Sequence, residues 1–386
     1  MRLGLLSTSY PTREDDAAGR FVEAMAHALV ARGHAVDALF PEHPTRDHPR
    51  GSNPSLAPLA YARPRRLERT FYGAGVPDNV RANPALALLG GAFSLRLLAE
   101  AQSRARRWDA VVAHFLLPTG LVAATLGLPA VVIAHSADLH LLERLPGRRA
   151  LARFLDARAT LWFVSDDARR RFERVLGRHL RRAPIVSPMG IAPILPYPRG
   201  EARASLGLSE AAFVVAALAR LVPIKGLDVA IDALAGRRDA VLVVGGEGPE
   251  ADALARRAAR LGVDLRLLGP LGPEGKRTLF GAADAFVVPS RTLPSGRSEG
   301  VPVAMLEALS AGLPVVASRV GGIPSAALPG VVLVPEGDPA ALAAALRGPL
   351  EPPRDLTRLP TWDALASRLE AALDQGRTTS VFRGGV

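Results

Sequence analysis

The chain has 386 residues, 48% of them apolar and 22% charged, with 48 Lys or Arg against 37 Asp or Glu and no cysteine. The length exceeds what one hydrophobic core usually serves and the composition is globular, so two domains of about 190 residues each are expected and a disordered chain is excluded. The missing cysteine excludes a disulfide framework, a zinc-thiolate centre and a thiol nucleophile, and it suits a reducing cytoplasm.

In chain order, Arg2–Ser7 reads as a strand, followed by a polar loop through Pro11 and Asp16 to Gly19. Arg20–Ala31 is a helix with Phe21, Met25, Ala28 and Leu29 on one face, and Gly33 is an ordinary stop. Ala35–Phe40 is the next strand, and this order implies a parallel pair joined by a right-handed crossover. Residues 41–82 are rich in Pro and Arg and are expected to be irregular, an excursion near the ligand cleft or a membrane-facing lobe. Asn83–Arg106 reads as a helix.

The run from Phe115 to Ala134 carries no charge and approaches the length of a membrane span. Pro118, Gly120, Gly127 and Pro129 break it into strand Ala110–Phe115, helix Gly120–Leu126 and strand Pro129–His135, as in a buried parallel sheet. A helix pair through residues 140–157, a strand Thr160–Ser165, a basic helix Asp166–Arg178 and a short strand Ile185–Ser187 complete the first half. The prolines from Pro188 to Pro198 have the texture of a linker. Beyond them strands Phe213–Ala217, Ala240–Val244, Leu265–Leu268, Ala285–Pro289 and Pro314–Ser318 alternate with helices Leu227–Ala235, Glu250–Leu261, Gly272–Ala282 and Pro302–Ala311. That is a second doubly wound domain. The tail from Pro339 reads as helical, ending in Trp362–Leu373. The expected division is residues 1–188, 189–355 and a C-terminal segment 356–386.

Charge is uneven along the chain. Residues 1–190 hold 27 Arg and no Lys against 17 acidic residues, whereas the remainder holds 21 cations against 20 acids. All eight histidines also lie in the first half. Either the host composition favours Arg, or this half meets something anionic: a phospholipid surface, a lipid-phosphate acceptor or nucleic acid. No aromatic residues interleave with the Arg clusters, so nucleic acid is not expected.

In open parallel sheets, ligands bind beyond the carboxyl ends of the strands, so the residues just after each strand matter most. Glu299 and Glu307 stand eight positions apart in an otherwise apolar stretch, Glu299 before a helix and Glu307 inside it. A carboxylate in so apolar a helix needs a partner. That partner is either an Arg of the sheet or ligand hydroxyls, while the helix amides near Gly300–Val303 suit an anionic or hydroxyl-rich group. Arg220 and Lys225 follow a buried strand. They form either surface salt bridges or a clamp on a diphosphate, Arg as a planar fork and Lys as a point charge. Lys225 is one of only two lysines, the other being Lys276, and no Asp-x-Asp metal site is evident. A leaving diphosphate would therefore rely on protein cations.

Weaker signals surround these. Gly245-Gly246-Glu247-Gly248-Pro249 permits close backbone approach after a strand but is no dinucleotide fingerprint, and Gly321-Gly322-Ile323-Pro324 is a similar turn. His135-Ser136-Ala137-Asp138 ends a buried strand, where His135 is either a ligand contact or a satisfied structural residue. His114 is the poorer candidate, and Gly19 is either loop punctuation or a place for close approach.

Together these residues resemble the retaining glycosyltransferases of the GT-B fold, family 4, also called group 1 transferases. The resemblance covers nearly the whole chain and is strongest from Arg220 to Ser318, where Glu299 and Glu307 match the family's Glu-x7-Glu motif. Arg220 to Gly226 matches its Arg-Leu-x3-Lys-Gly segment, and Gly246-Glu247-Gly248-Pro249 its Gly-x-Gly-Pro turn. Arg32 to Val36, Ala113-His114-Phe115 and His135–Asp138 are family-like in the first half. Ser136 stands where the family often has Gly, and Ser325 where it often has Glu.

The resemblance implies an α/β protein of two facing Rossmann-like doubly wound domains with a cleft between them. It implies that Arg220 and Lys225 hold the donor diphosphate as it leaves, that Glu307 binds the ribose, and that Glu299 contacts the sugar near its reacting carbon. Gly300, Val301 and Pro302 would offer backbone to sugar hydroxyls, His135 would reach the sugar, Gly19 would lie against the phosphates, and Gly246 would line the donor site. It implies no cofactor and no metal, with a UDP- or GDP-linked sugar as substrate. The expected function is transfer to a lipid-linked or polysaccharide acceptor in cell-envelope or exopolysaccharide synthesis, in the cytoplasm or peripherally at the inner membrane face. The alternatives are a sugar-nucleotide hydrolase, epimerase or phosphorylase on the same fold, or a basic membrane- or polyanion-binding protein with a vestigial cleft.

Overall fold

Alternation of apolar residues along short buried strands builds the N-terminal sheet. Strands β1 (Arg2–Leu6), β2 (Ala35–Pro41), β3 (Ser55–Leu59), β4 (Ala110–His114), β5 (Ala130–Ala134), β6 (Thr160–Phe163) and β7 (Ile185–Val186) lie in the order β3-β2-β1-β4-β5-β6-β7. Every pair is parallel. Leu6, Leu39, Val111, Ala113, Val132 and Phe163 point to one face, and Leu3, Leu5, Val36, Val112, Ile133 and Trp162 to the other. This is the period-two pattern of a sheet covered on both sides. The computed structural model describes all residues except 13–15, 17–18, 49–51, 73–75, 77–78, 81–82, 327–329 and 382–386.

Helix α1 (Arg20–Ala31) packs on the second face with Val22, Met25, Ala26 and Leu29. Helix α2 (Leu86–Ala105) covers the first through Phe93, Leu97 and Ala101. After β4 the charge-free run is a short turn, helix α3 (Leu121–Thr125) and β5, and no described helix is long and apolar enough to cross a membrane. The helix pair expected over residues 140–157 is α4 (Ser136–Arg144) and α5 (Arg148–Arg158). Helix α6 (Asp166–Leu176) is capped by Ser165, whose hydroxyl accepts the Ala168 N–H at 3.1 Å, and it stops at left-handed Gly177. Strand β3 lies inside the stretch expected to be irregular. Its Pro58 has no N–H to donate, which an edge strand tolerates and which hides the strand in the sequence.

The second sheet is β8 (Phe213–Leu218), β9 (Ala240–Gly245), β10 (Asp264–Leu267), β11 (Ala285–Val288), β12 (Val315–Ser318) and β13 (Val331–Val334), in the order β10-β9-β8-β11-β12-β13. All its pairs are parallel. Its helices are α7 (Arg199–Ser205), α8 (Leu227–Ala233), α9 (Ala251–Leu261), α10 (Pro273–Ala282), α11 (Val303–Ser310) and α12 (Pro339–Arg347). Helix α7 begins directly after Pro198, at the end of the linker-like stretch. Its Arg203 is fully buried, donating to the carbonyls of Ala282, Ser209, Glu210 and Ala212 and pairing with Asp284 at 2.7 Å.

Two units result: Met1–Gly190 with the last helix, α13 (Trp362–Val381), and Ile191–Thr361. These breaks fall a little later than residues 188 and 355. The Ile191 N–H bonds the Pro360 carbonyl and Leu359 packs in the second unit's core, which keeps both chain segments there. Helix α13 buries Leu365, Ala366, Leu369 and Leu373 on the α1 face of the first sheet.

Candidate functional site

The order of the second sheet reverses between β8 and β11, the switch point where loops leave in opposite directions and open a crevice. The loop after β8 carries Arg220 and Lys225, and the segment after β11 carries Glu299. Lys225 Nζ lies 2.7 Å from Glu299 Oε2, with the two side chains 18% and 17% exposed. The buried Ser290 hydroxyl sits 3.4 Å from the same oxygen. Arg220 is exposed in the Lys225 loop. Ion-paired but still reachable, Lys225 is a cation that an incoming phosphate can take over from Glu299.

The backbone holds this pair by close approach. Gly226 is left-handed at φ 61°, and a Cβ there would meet the Pro289 carbonyl oxygen at 2.0 Å, so the Lys225 turn lies tight against the end of β11. Gly321, at φ 54°, does the same to the Glu299 carbonyl, 2.0 Å from where its Cβ would stand, and the Gly322 N–H donates to that carbonyl at 3.1 Å. The Gly321-Gly322 turn, a weak signal in sequence, is thus a brace for Glu299. Gly246 stands beside the Ala219 backbone at the end of β9, and its N–H donates to the Gly269 carbonyl at 2.7 Å. Gly300, Val301 and Pro302 lead into helix α11, which has no side-chain cap at its N-terminus.

Glu307 does not join Lys225 and Glu299. Its Oε1 is 2.7 Å from Lys276 Nζ on helix α10, so its partner in the protein is a lysine from a helix and not an arginine of the sheet. The only two lysines of the chain therefore hold the two glutamates of the Glu-x7-Glu motif, one each. Lys276 was missed by sequence reasoning, although the rarity that marked Lys225 marks it equally. Among the described residues no three His, Asp or Glu side chains are grouped to hold a metal ion.

In the first unit, His135 ends β5 and its Nε2 lies 3.3 Å from Nδ1 of His114, which is fully buried at the end of β4. The rings of Phe21, Phe115 and His114 surround it, and this apolar setting pushes its pKa down to about 3, so it is a neutral imidazole at physiological pH. Asp138, buried in the first turn of α4, accepts the Leu116 N–H on Oδ2 at 2.6 Å, while Oδ1 finds no partner. Burial pushes its pKa up to about 7, against the pull of the surrounding amides. His114, the weaker candidate by sequence, is a side chain that His135 meets through its Nε2. Gly19 is left-handed, φ 81°, at the start of α1, and a Cβ there would meet the Tyr10 backbone.

Two parallel doubly wound sheets, the second with the Lys225–Glu299 ion pair at its switch point, define an α/β protein of two Rossmann-like units. Residues 198–359 match the family described as glycosyl transferases group 1, and residues 18–188 match glycosyltransferase family 4. The chain belongs to the group 1, family 4 glycosyltransferases of the GT-B fold. It is 33% identical over 202 residues to a GDP-mannose-dependent monoacylated alpha-(1-6)-phosphatidylinositol monomannoside mannosyltransferase of Corynebacterium glutamicum, covering 50% of this chain and 53% of that one. It is 39% identical over 164 residues to a D-inositol 3-phosphate glycosyltransferase of Actinosynnema mirum, covering 38% of each. The matches span about half the length of these curated relatives or less. In fold, the chain is similar to HepE of Anabaena, solved in complex with UDP-glucose, with TM-score 0.65, 18% identity and coverage of 98% and 99%.

Proposed function

We propose that this chain is a retaining, metal-independent glycosyltransferase that moves a sugar from a UDP- or GDP-linked donor to a lipid-linked or polysaccharide acceptor. The setting is cell-envelope or exopolysaccharide synthesis, in the cytoplasm or at the inner face of the membrane, which the Arg-rich N-terminal half would meet. The observation that carries this reading is the Lys225–Glu299 contact at the switch point, with Arg220 in the same loop. When the bond between sugar and diphosphate breaks, the electron pair stays on the leaving phosphate oxygen, and Arg220 and Lys225 offset that charge. The acceptor oxygen takes the anomeric carbon on the face the phosphate leaves, and the acceptor proton departs with the diphosphate. Glu299 would face the sugar, Glu307 the ribose, and Gly246 and Gly300–Pro302 the donor backbone contacts. His135 reading the sugar and Gly19 admitting the phosphates rest on the family resemblance.

Thermal melting with a panel of UDP-, GDP- and ADP-sugars tests it. One donor class is expected to raise Tm, because a ligand at about 100 times its Kd adds roughly 2.7 kcal/mol to the folded state. A flat response to every donor would remove the reading. Release of free sugar with no transfer to any acceptor would make the protein a hydrolase instead.

A further inference from the structure

The basic surplus of the first unit is concentrated in one place. Between Glu143 and Arg182 there are twelve arginines against five acidic residues. Each of those five carboxylates is already engaged. Glu143 is held by Arg171 at 2.6 Å, Asp156 by Arg178 at 2.5 Å, and Asp166 by Arg169 and Arg170 at 2.7 and 3.0 Å. Glu173 is held by Arg169 at 2.6 Å, and Asp167 lies 3.9 Å from Arg171.

Of the arginines outside these ion pairs, three converge. Arg148, Arg149 and Arg174, with Gly147 and Val175, line a pocket of about 460 Å³ between the start of α5 and the end of α6. Arg149 is exposed but lies against the chain at the end of α6. Its Nη2 lies 2.2 Å from where a Gly177 Cβ would stand, so the bare glycine at the end of α6 lets the guanidinium rest there. Three guanidiniums around one concavity repel one another unless an anion sits among them, and a concave wall focuses their field. Guanidinium forks match phosphate oxygens bidentately.

We infer that Arg148, Arg149 and Arg174 form a phosphate-binding site on the first unit, separate from the residues assigned to the donor. Its ligand is a phosphate ester, either the headgroup phosphate of an anionic lipid or a free phosphomonoester. The lipid form rests on the membrane-facing part of the proposed function, and the free-phosphate form does not.

The test compares the full chain with the variant Arg148→Gln/Arg149→Gln/Arg174→Gln and a control of equal charge loss, Arg106→Gln/Arg107→Gln/Arg182→Gln. Binding to phosphatidylglycerol vesicles and to phosphatidylcholine vesicles is measured at about 0.15 M salt, alongside Tm with glycerol 3-phosphate and with inorganic phosphate. If the ligand is a lipid headgroup, the site variant loses at least about tenfold in phosphatidylglycerol affinity and the control stays within about twofold. If it is a free ester, the Tm rise with glycerol 3-phosphate disappears in the site variant alone. Equal losses in both variants, or no phosphate or vesicle binding by the parent chain, overturns the inference. Nucleotide-sugar melting shifts should be unchanged in the site variant, which separates this result from failure of the donor reading and shows that the variant folds. The double variant Arg148→Gln/Arg174→Gln leaves Arg149 on Gly177 and should fall in the same direction.

Discussion

At the scale of single residues, the donor assignment turns on Lys225 and Glu299. Lys225→Ala and Glu299→Ala should each lower the transfer rate by at least about a hundredfold, as removal of one charge-stabilising group at a reacting centre does. The pair is partly exposed, so lost stability should stay near 1 kcal/mol, roughly what such pairs contribute. Normal turnover in both variants, measured with the donor found by melting, would contradict the mechanism. Asp138 offers a second test. Its folded-state pKa of about 7 lies above that of an unfolded aspartate, so the folded chain holds the extra proton between about pH 4 and pH 7. Its contribution to stability is complete below that window and is lost as pH rises through it. His135, with its pKa pushed down to about 3, acts in the opposite sense, costing stability as pH falls below about 6.5. Asp138→Asn should therefore gain in Tm relative to the parent from pH 4 to pH 7 and hold that gain above. A Tm difference independent of pH would mean that this carboxyl does not titrate as argued.

At the scale of elements, the last helix is tied to the first unit by charge as well as by its apolar face. Arg32 meets Glu370 at 2.7 and 2.9 Å and Asp363 at 2.7 Å, and His34 Nε2 meets Glu370 Oε1 at 2.7 Å. The Arg32 and His34 hydrogen bonds hold the Glu370 pKa down to about 2. A depressed carboxylate stabilises above its unfolded pKa, near 4.3, and loses that contribution as pH falls toward 2. Glu370→Gln should lower Tm by about 2–4 °C above pH 5, with the gap closing near pH 2. A gap that persists in acid would show packing, not charge, to be the cause. Most elements were legible because their apolar periods are long and their stops are plain, as in α1 and α6. Strand β3 was hidden by Pro58 and helix α7 by the prolines before it, since both chemistries read locally as irregular chain.

At the scale of the whole molecule, two sheets with separate cores make a testable separation of roles. Bound nucleotide sugar should slow amide exchange in residues 219–226 and 299–305 while leaving α13 unchanged, measured by hydrogen exchange at matched protein concentration. Protection confined to α13 would place the ligand elsewhere. The amino-acid order alone determined the two doubly wound sheets, because strand and helix periods are local properties. It also determined which loops could meet a ligand, because those loops follow from strand ends. Only the folded chain decided which charges meet. Lys225 and Glu299 are joined by the reversal between β8 and β11, and Lys276 of α10 meets Glu307 of α11 at 2.7 Å. Arg148, Arg149 and Arg174 share one pocket because α5 and α6 lie side by side. Such pairings join residues far apart in sequence, and no local period records them.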